Sequence, residues 1–162
     1  MNILKKKDTG KWLKVIIIMA GIISIILAAL LAPLLGKELV STNPQLEFLF
    51  WPSLIFIWIS AIPLFISLYM FYLISQEIIN DNPFFKKNSI RLTIVSRLAL
   101  LESGLYLFAL IVLIILGEFH ISLLLIIIIV MFIGLAMAVI TAILAHLVDK
   151  ARRIEIENEL TI

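Results

Sequence analysis

The sequence predicts an all-α integral membrane protein with four spanning helices, and three observations carry that prediction. The chain is 63% hydrophobic with a mean hydropathy of +1.19, against an apolar share of ~45–50% in an ordinary soluble domain. Four apolar runs, over residues 12–35, 50–75, 92–116 and 121–147, each reach the ~20 residues a helix needs to cross a hydrocarbon core of ~30 Å. The third observation is charge. Of the 13 Lys and Arg, all but Lys37 gather at one set of span ends. They are Lys5, Lys6, Lys7, Lys11 and Lys14; Lys86, Lys87, Arg91 and Arg97; and Lys150, Arg152 and Arg153. Basic residues near span ends resist translocation, so both termini and the loop over 76–91 are expected in the cytoplasm.

Four spans in 162 residues leave only short connections, so a single four-helix membrane domain, an intrachain bundle, is expected. The formal charge of +2 does not indicate direct nucleic-acid binding. The basic residues are topogenic and can also touch anionic lipids of the bilayer at ~1 kcal/mol each. The absence of cysteine excludes disulfides, thiolate catalysis, zinc–thiolate sites and lipoprotein acylation. The first run follows Lys5–Lys7 as a signal peptide would. It is much longer than a signal core of ~7–15 residues and has no convincing small-residue cleavage site, so it reads as an uncleaved span.

Along the first span Ala20, Ser24, Ala28 and Ala32 form a ladder of small residues at spacing four. The fourth span repeats the device with Gly134, Ala138 and Ala142, and with Thr141 and Ala145 beside them. In lipid, helices associate by close backbone approach at such stripes, so both mark helix–helix seams, within the chain or with a second copy in a homo-oligomer. The second span sets Ser53, Ser60 and Ser67 on one face near Pro63, as for a kink repaired by hydroxyls or a path for a polar solute. Phe48, Phe50 and Trp51 at one end, and Trp12, Tyr69 and Tyr72 at the other, fit interfacial belts. Residues 36–47 form the only sizeable external segment, with a turn expected at Asn43-Pro44. The second external link, around 117–120, is barely a turn.

Two cytoplasmic segments stand out. In the loop, Asn82-Pro83 reads as a helix start, the Asn side chain capping and Pro taking the first helical position. A helix unbroken from Pro83 to Leu116 would be ~50 Å long, so its first residues should leave the bilayer core. Phe84 and Phe85 beside Lys86, Lys87 and Arg91 then form an interfacial anchor or a docking surface for a cytosolic protein. In the tail over 148–162, Ile154, Ile156, Leu160 and Ile162 alternate with Glu155, Glu157, Glu159 and Thr161. That is the period of a half-buried strand, suited to addition at a partner's sheet edge. A helix competes, since Leu147, Ala151 and Ile154 continue the face of the fourth span.

With those residues in view, the chain resembles a family of small bacterial membrane proteins catalogued as domain of unknown function 2975. AIPLFISLYMFYLIS (61–75) is similar to the family's second span with its Pro-aromatic centre. NPFFKKNSIRL (82–92) is similar to its Asn-Pro-Phe loop, although Arg precedes Leu here, and ENELTI (157–162) to its acidic Leu-Thr-Val/Ile ending. The resemblance implies a four-span protein of the bacterial plasma membrane with no assigned chemistry. It also implies a cytosolic regulatory partner, because members are often encoded beside a small helix-turn-helix regulator.

Glu102 is the only acidic residue deep inside an apolar run, and an intramembrane carboxylate is costly enough to mark a functional candidate. Arg97 lies about 140° away around the helix, so His146 in the fourth span is the expected polar partner. A structural, snorkelling role for Glu102 is the alternative. No catalytic, cofactor-binding or metal-binding arrangement can be assembled. The two histidines, His120 and His146, fall on opposite sides of the membrane, and no metalloprotease, phosphate-loop or triad pattern is present. The reading that follows is non-enzymatic: a regulatory or sensory membrane protein using Asn82, Pro83, Phe84, Phe85, Ile154, Ile156, Leu160 and Ile162 to engage a cytosolic partner. The competing readings are a small transporter or pore-forming oligomer built on Glu102, His146 and the serine face, and an immunity or envelope-stress protein.

Overall fold

A computed structural model describes residues 3–80, 85–117 and 121–159, and nearly all of them are helical. Helix α1 (Ile3–Ile26) runs through a π-helical turn (Leu27–Leu31) into α2 (Ala32–Thr42) without a break. A short 3₁₀ turn (Pro44–Leu46) leads to α3 (Glu47–Ile79), followed by α4 (Lys86–Leu116) and α5 (Ile121–Glu159). Hydrocarbon offers no partner to a free N–H or C=O, so long apolar runs close their hydrogen bonds internally as helices. Four stretches are long and apolar enough to cross a membrane: Asp8–Thr42, Pro44–Ile79, Lys86–Leu116 and Leu123–Glu157.

The rods are longer than the apolar runs. Asp8–Thr42, 35 residues, is about 52 Å at ~1.5 Å per residue. Most of the expected external segment is therefore helix. The turn falls at Asn43, where the chain leaves α geometry (φ −133°, ψ 81°) and the Asn43 N–H returns to the Leu39 carbonyl at 2.9 Å. At the end of α4 Gly117 takes φ +75°, and its N–H closes on the Ile114 carbonyl at 3.2 Å. A side chain would be strained there.

The helices do not close into a bundle. Among the described residues α1 and α2 pack on α3, α3 on α4, and α5 on α4 alone. Both small-residue ladders thus lie at seams within the chain. Large apolar side chains on all four rods stay exposed, as suits surfaces solvated by lipid tails.

The α4–α5 seam is the most extensive and has a simple rule. Ser89 and Ser96 on α4 donate to the carbonyls of Ala145 (2.9 Å) and Ala138 (2.8 Å) on α5, and Ser103, seven residues further on, shares its proton between the Ala99 carbonyl of its own helix (2.9 Å) and the Met131 carbonyl of α5 (3.3 Å). Each heptad up α4 matches a heptad down α5, the signature of left-handed antiparallel packing. Opposite the serines lie Gly134, Ala138, Thr141 and Ala145, the last three buried. A Cβ on Gly134 would collide with the Ser103 hydroxyl, so a side chain there would force that hydroxyl out of its place in the seam. Ala142 is exposed. It belongs outside the expected ladder because a seam on a 3.6-residue helix steps by three as well as four.

The first ladder faces α3: Ala20, Ser24, Ala28 and Ala32 are all partly covered, while most residues between them are exposed. The π turn beside it follows from Pro33. The Ala32 N–H bonds to the Leu27 carbonyl, five residues back. The same spacing would pair the Ala28 carbonyl with Pro33, which has no N–H. That carbonyl instead accepts the indole N–H of Trp58 at 3.0 Å, which both satisfies it and pins α1 to α3.

Candidate functional site

Two regions gather polar side chains where the rods meet. The first lies at the end of the rods that holds the described basic residues Lys11, Lys14, Lys86, Lys87, Arg91, Lys150, Arg152 and Arg153, with Arg97 farther along α4. There α3 ends at Ile79 and α4 begins at Lys86, with Phe85 extended (φ −60°, ψ 133°) as its N-cap. The expected helix from Pro83 is therefore corrected: Phe85 is outside it. Asn82, Pro83 and Phe84 lie outside the described residues.

The junction is clamped by Arg91. Its Nη1 donates to Asn88 Oδ1 (2.8 Å), to the Leu73 carbonyl (3.3 Å) and to Glu77 Oε1 (3.4 Å). Asn88 is fully buried, and the Arg91 and Glu77 side chains are only 15% and 22% exposed. One guanidinium thus ties the last turns of α3 to the first turn of α4, a task its fork of donors suits better than a single ammonium would. Lys14 sits 5.3 Å from the Tyr72 ring centroid and brings α1 to the same level.

Beside this clamp α5 continues. Its register against α4 puts Val148 level with Lys86, so the stretch over 149–159 reaches about 16 Å past the start of α4 at ~1.5 Å per residue. The strand expected from the alternation of Ile154 and Ile156 with glutamates is overturned, since both sit on this helix. Arg152 and Arg153 pair with Asp149 at 3.5 and 3.0 Å, one turn apart, which favours helix over strand. Ile154 and Ile156 are 50% and 41% exposed and point roughly 200° apart. Leu147, Ala151 and Ile154 make a stripe at helical spacing. Leu160 and Ile162 lie outside the described residues.

The second region lies between the spans. Residues Ile57, Ser60, Ala61 and Leu64 of α3 form the floor of an open groove of about 190 Å³. Ser24 and Ala28, with Leu27, line it from the first rod, and Glu102 and Tyr106 from α4. Glu102 Oε2 is buried without a hydrogen-bond partner. The expected contact with His146 is not made. By the α4–α5 register, Glu102 is level with Phe132, and His146 with Asn88, a separation of about 21 Å at ~1.5 Å per residue. His146 is also exposed. The separation arises because α4 begins at Lys86, sixteen residues before Glu102, whereas His146 lies only two residues from Val148, which is level with Lys86.

Three features of these regions went unread in the sequence although signals for them exist. The heptad of Ser89, Ser96 and Ser103 is visible as a spacing. Pro33, five residues after Ala28, announces an unpaired carbonyl. Arg91, three residues after Asn88, allows the bond seen here. No group of three or more His, Cys, Asp or Glu able to hold a metal occurs among the described residues.

Comparison with known proteins gives a family and no activity. The chain belongs to the family described as a protein of unknown function (DUF2975), whose model matches residues 34–162. The match covers the second to fourth spans and the later part of the first. No curated protein and no solved structure matches the chain.

Proposed function

We propose that this member of the family is a non-enzymatic regulatory protein of the bacterial plasma membrane, with both termini in the cytoplasm. It binds a cytosolic protein at its basic end. The observation that carries the reading is the projecting end of α5, a charged helix with exposed Ile154 and Ile156 beside the clamped α3–α4 junction. Apolar residues kept on a helix that has left the bilayer favour burial in a partner's groove, with Leu147, Ala151 and Ile154 as the contacting stripe. Helix docking thus replaces strand addition as the mode of recognition. The family resemblance makes a small helix-turn-helix regulator the partner of choice. The orientation rests on the basic residues of that end.

Orientation is tested by thiol labelling. Cysteine at Asn43 should react with an impermeant reagent in intact cells, and cysteine at Lys87 or Glu155 only after lysis. Reaction of the Lys87 variant in intact cells would reverse the orientation. For the partner, Ile154→Asp with Ile156→Asp should abolish co-purification of the regulator while insertion and melting temperature stay at wild-type values. Co-purification at the wild-type level would rule out this end of α5 as the binding surface.

A further inference from the structure

The groove between the first rod, α3 and α4 has an unusual hydrogen-bond balance. Ser24 gives its proton to the Ala20 carbonyl at 2.8 Å, and Ser60 gives its proton to the Ile57 carbonyl at 3.1 Å. The Tyr106 hydroxyl lies 3.5 Å from Ser60 Oγ, too far for a strong hydrogen bond. The Ala28 carbonyl is occupied by the Trp58 indole. Both serine protons lining the groove are thus committed to backbone carbonyls. What remains unused is acceptor capacity: hydroxyl lone pairs on Ser24 and Tyr106, and the Glu102 carboxyl group. Glu102 has no ion pair or hydrogen bond among the described residues, and its Oε2 is buried.

A buried acceptor left unmatched is costly, and more so when it can carry charge. A group that brings hydrogen-bond donors to the Glu102 carboxyl group completes this site. A primary ammonium does so, with three donors and a positive charge. The remaining walls, Leu27, Ala28, Ile57, Ala61 and Leu64, are apolar, and the groove is open on one side. Its volume of about 190 Å³ is below the ~300–1,000 Å³ of a site that encloses a drug-sized ligand. It has room for a head group and the first carbons of a chain, the rest lying outside among the lipid tails.

We propose that this groove binds lipophilic primary amines, the ammonium seated against Glu102 and Tyr106 and the chain leaving toward the bilayer. The site is independent of the cytoplasmic docking surface, since it lies within the spans and shares none of its residues.

The test uses the full chain in phosphatidylcholine nanodiscs, whose quaternary head group donates no N–H. Radiolabelled octylamine should bind saturably, octanol should compete at least about tenfold less well, and Glu102→Gln should weaken binding by about tenfold or more, the scale of a charged hydrogen bond. Tyr106→Phe should weaken it less. Non-saturable uptake, equal competition by octanol, or undiminished binding in Glu102→Gln would each overturn the proposal. A groove that holds water alone gives the first of these results. Should Glu102→Gln fail to fold, the wild-type protein still decides. Labelling of Glu102 by a hydrophobic carbodiimide should be blocked by octylamine and not by octanol, and labelling unaffected by octylamine would overturn the assignment.

Discussion

Ala138→Leu should lower the stability of the purified protein by about 1–3 kcal/mol, the usual cost of forcing bulk into a close-packed seam. Ala138 is 2% exposed, and its carbonyl accepts the Ser96 hydroxyl at 2.8 Å, so the two backbones cannot separate without losing that bond. The neighbouring Ser103 contact with the Met131 carbonyl depends on the same closeness. Ala142→Leu supplies the control within one turn of the same helix. Its site is exposed, and the added side chain should meet lipid at almost no cost. A detergent melting assay separates the two. Equal loss in both variants would mean that the α4–α5 seam is not where the serine register places it.

Arg91→Leu is the second large effect expected, a loss of about 1.5–3 kcal/mol, the range for hydrogen bonds to a charged group. The substitution strips Asn88 Oδ1 of its 2.8 Å bond and leaves Glu77 beside α3 without its 3.4 Å counter-ion. Both side chains of that ion pair keep some solvent access, 15% and 22%, so the penalty falls short of that for a fully buried pair. Arg91→Lys should recover only part of the loss, because one ammonium cannot reproduce the reach to Asn88, Leu73 and Glu77 together. Full recovery by lysine would reduce the clamp to its charge. In either variant the melting temperature is the measurement, read in the same detergent as the wild type.

The number of spans, their order and the gathering of basic residues at one end were legible because they depend on composition summed over some twenty residues. The turn at Asn43-Pro44 was legible because both residues oppose helix continuation locally. What escaped the sequence was relative position. Whether Glu102 and His146 meet depends on the depth at which two rods pass each other, and that is set by Ser89, Ser96 and Ser103 against three carbonyls on α5. The tail misled for a different reason. Ile154 and Ile156 alternate with glutamates, but the helix above them is already nucleated and extends at little cost. Nothing in hydropathy distinguishes a face covered by protein from one covered by lipid.

The extra residue that Pro33 introduces at Leu27–Leu31 alters the azimuth of everything beyond it. Positions spaced four apart advance about 40° too far per step on a 3.6-residue helix, so a ladder from Ala20 through Ala32 and on to Gly36 and Val40 would spiral away from α3. Yet Ala20, Ser24, Ala28, Ala32, Gly36 and Val40 are all partly covered, and a Cβ on Gly36 would lie 2.9 Å from the Phe50 ring. The wider turn takes up one residue, about 100° of rotation, and so resets the phase midway along the rod. Removing one residue there and restoring ordinary winding would leave the hydrophobic length of the span almost unchanged. It would swing the distal third, Gly36 included, off its neighbour. Chain length in this rod is therefore fixed by angular phase, and the thickness of the membrane leaves it free.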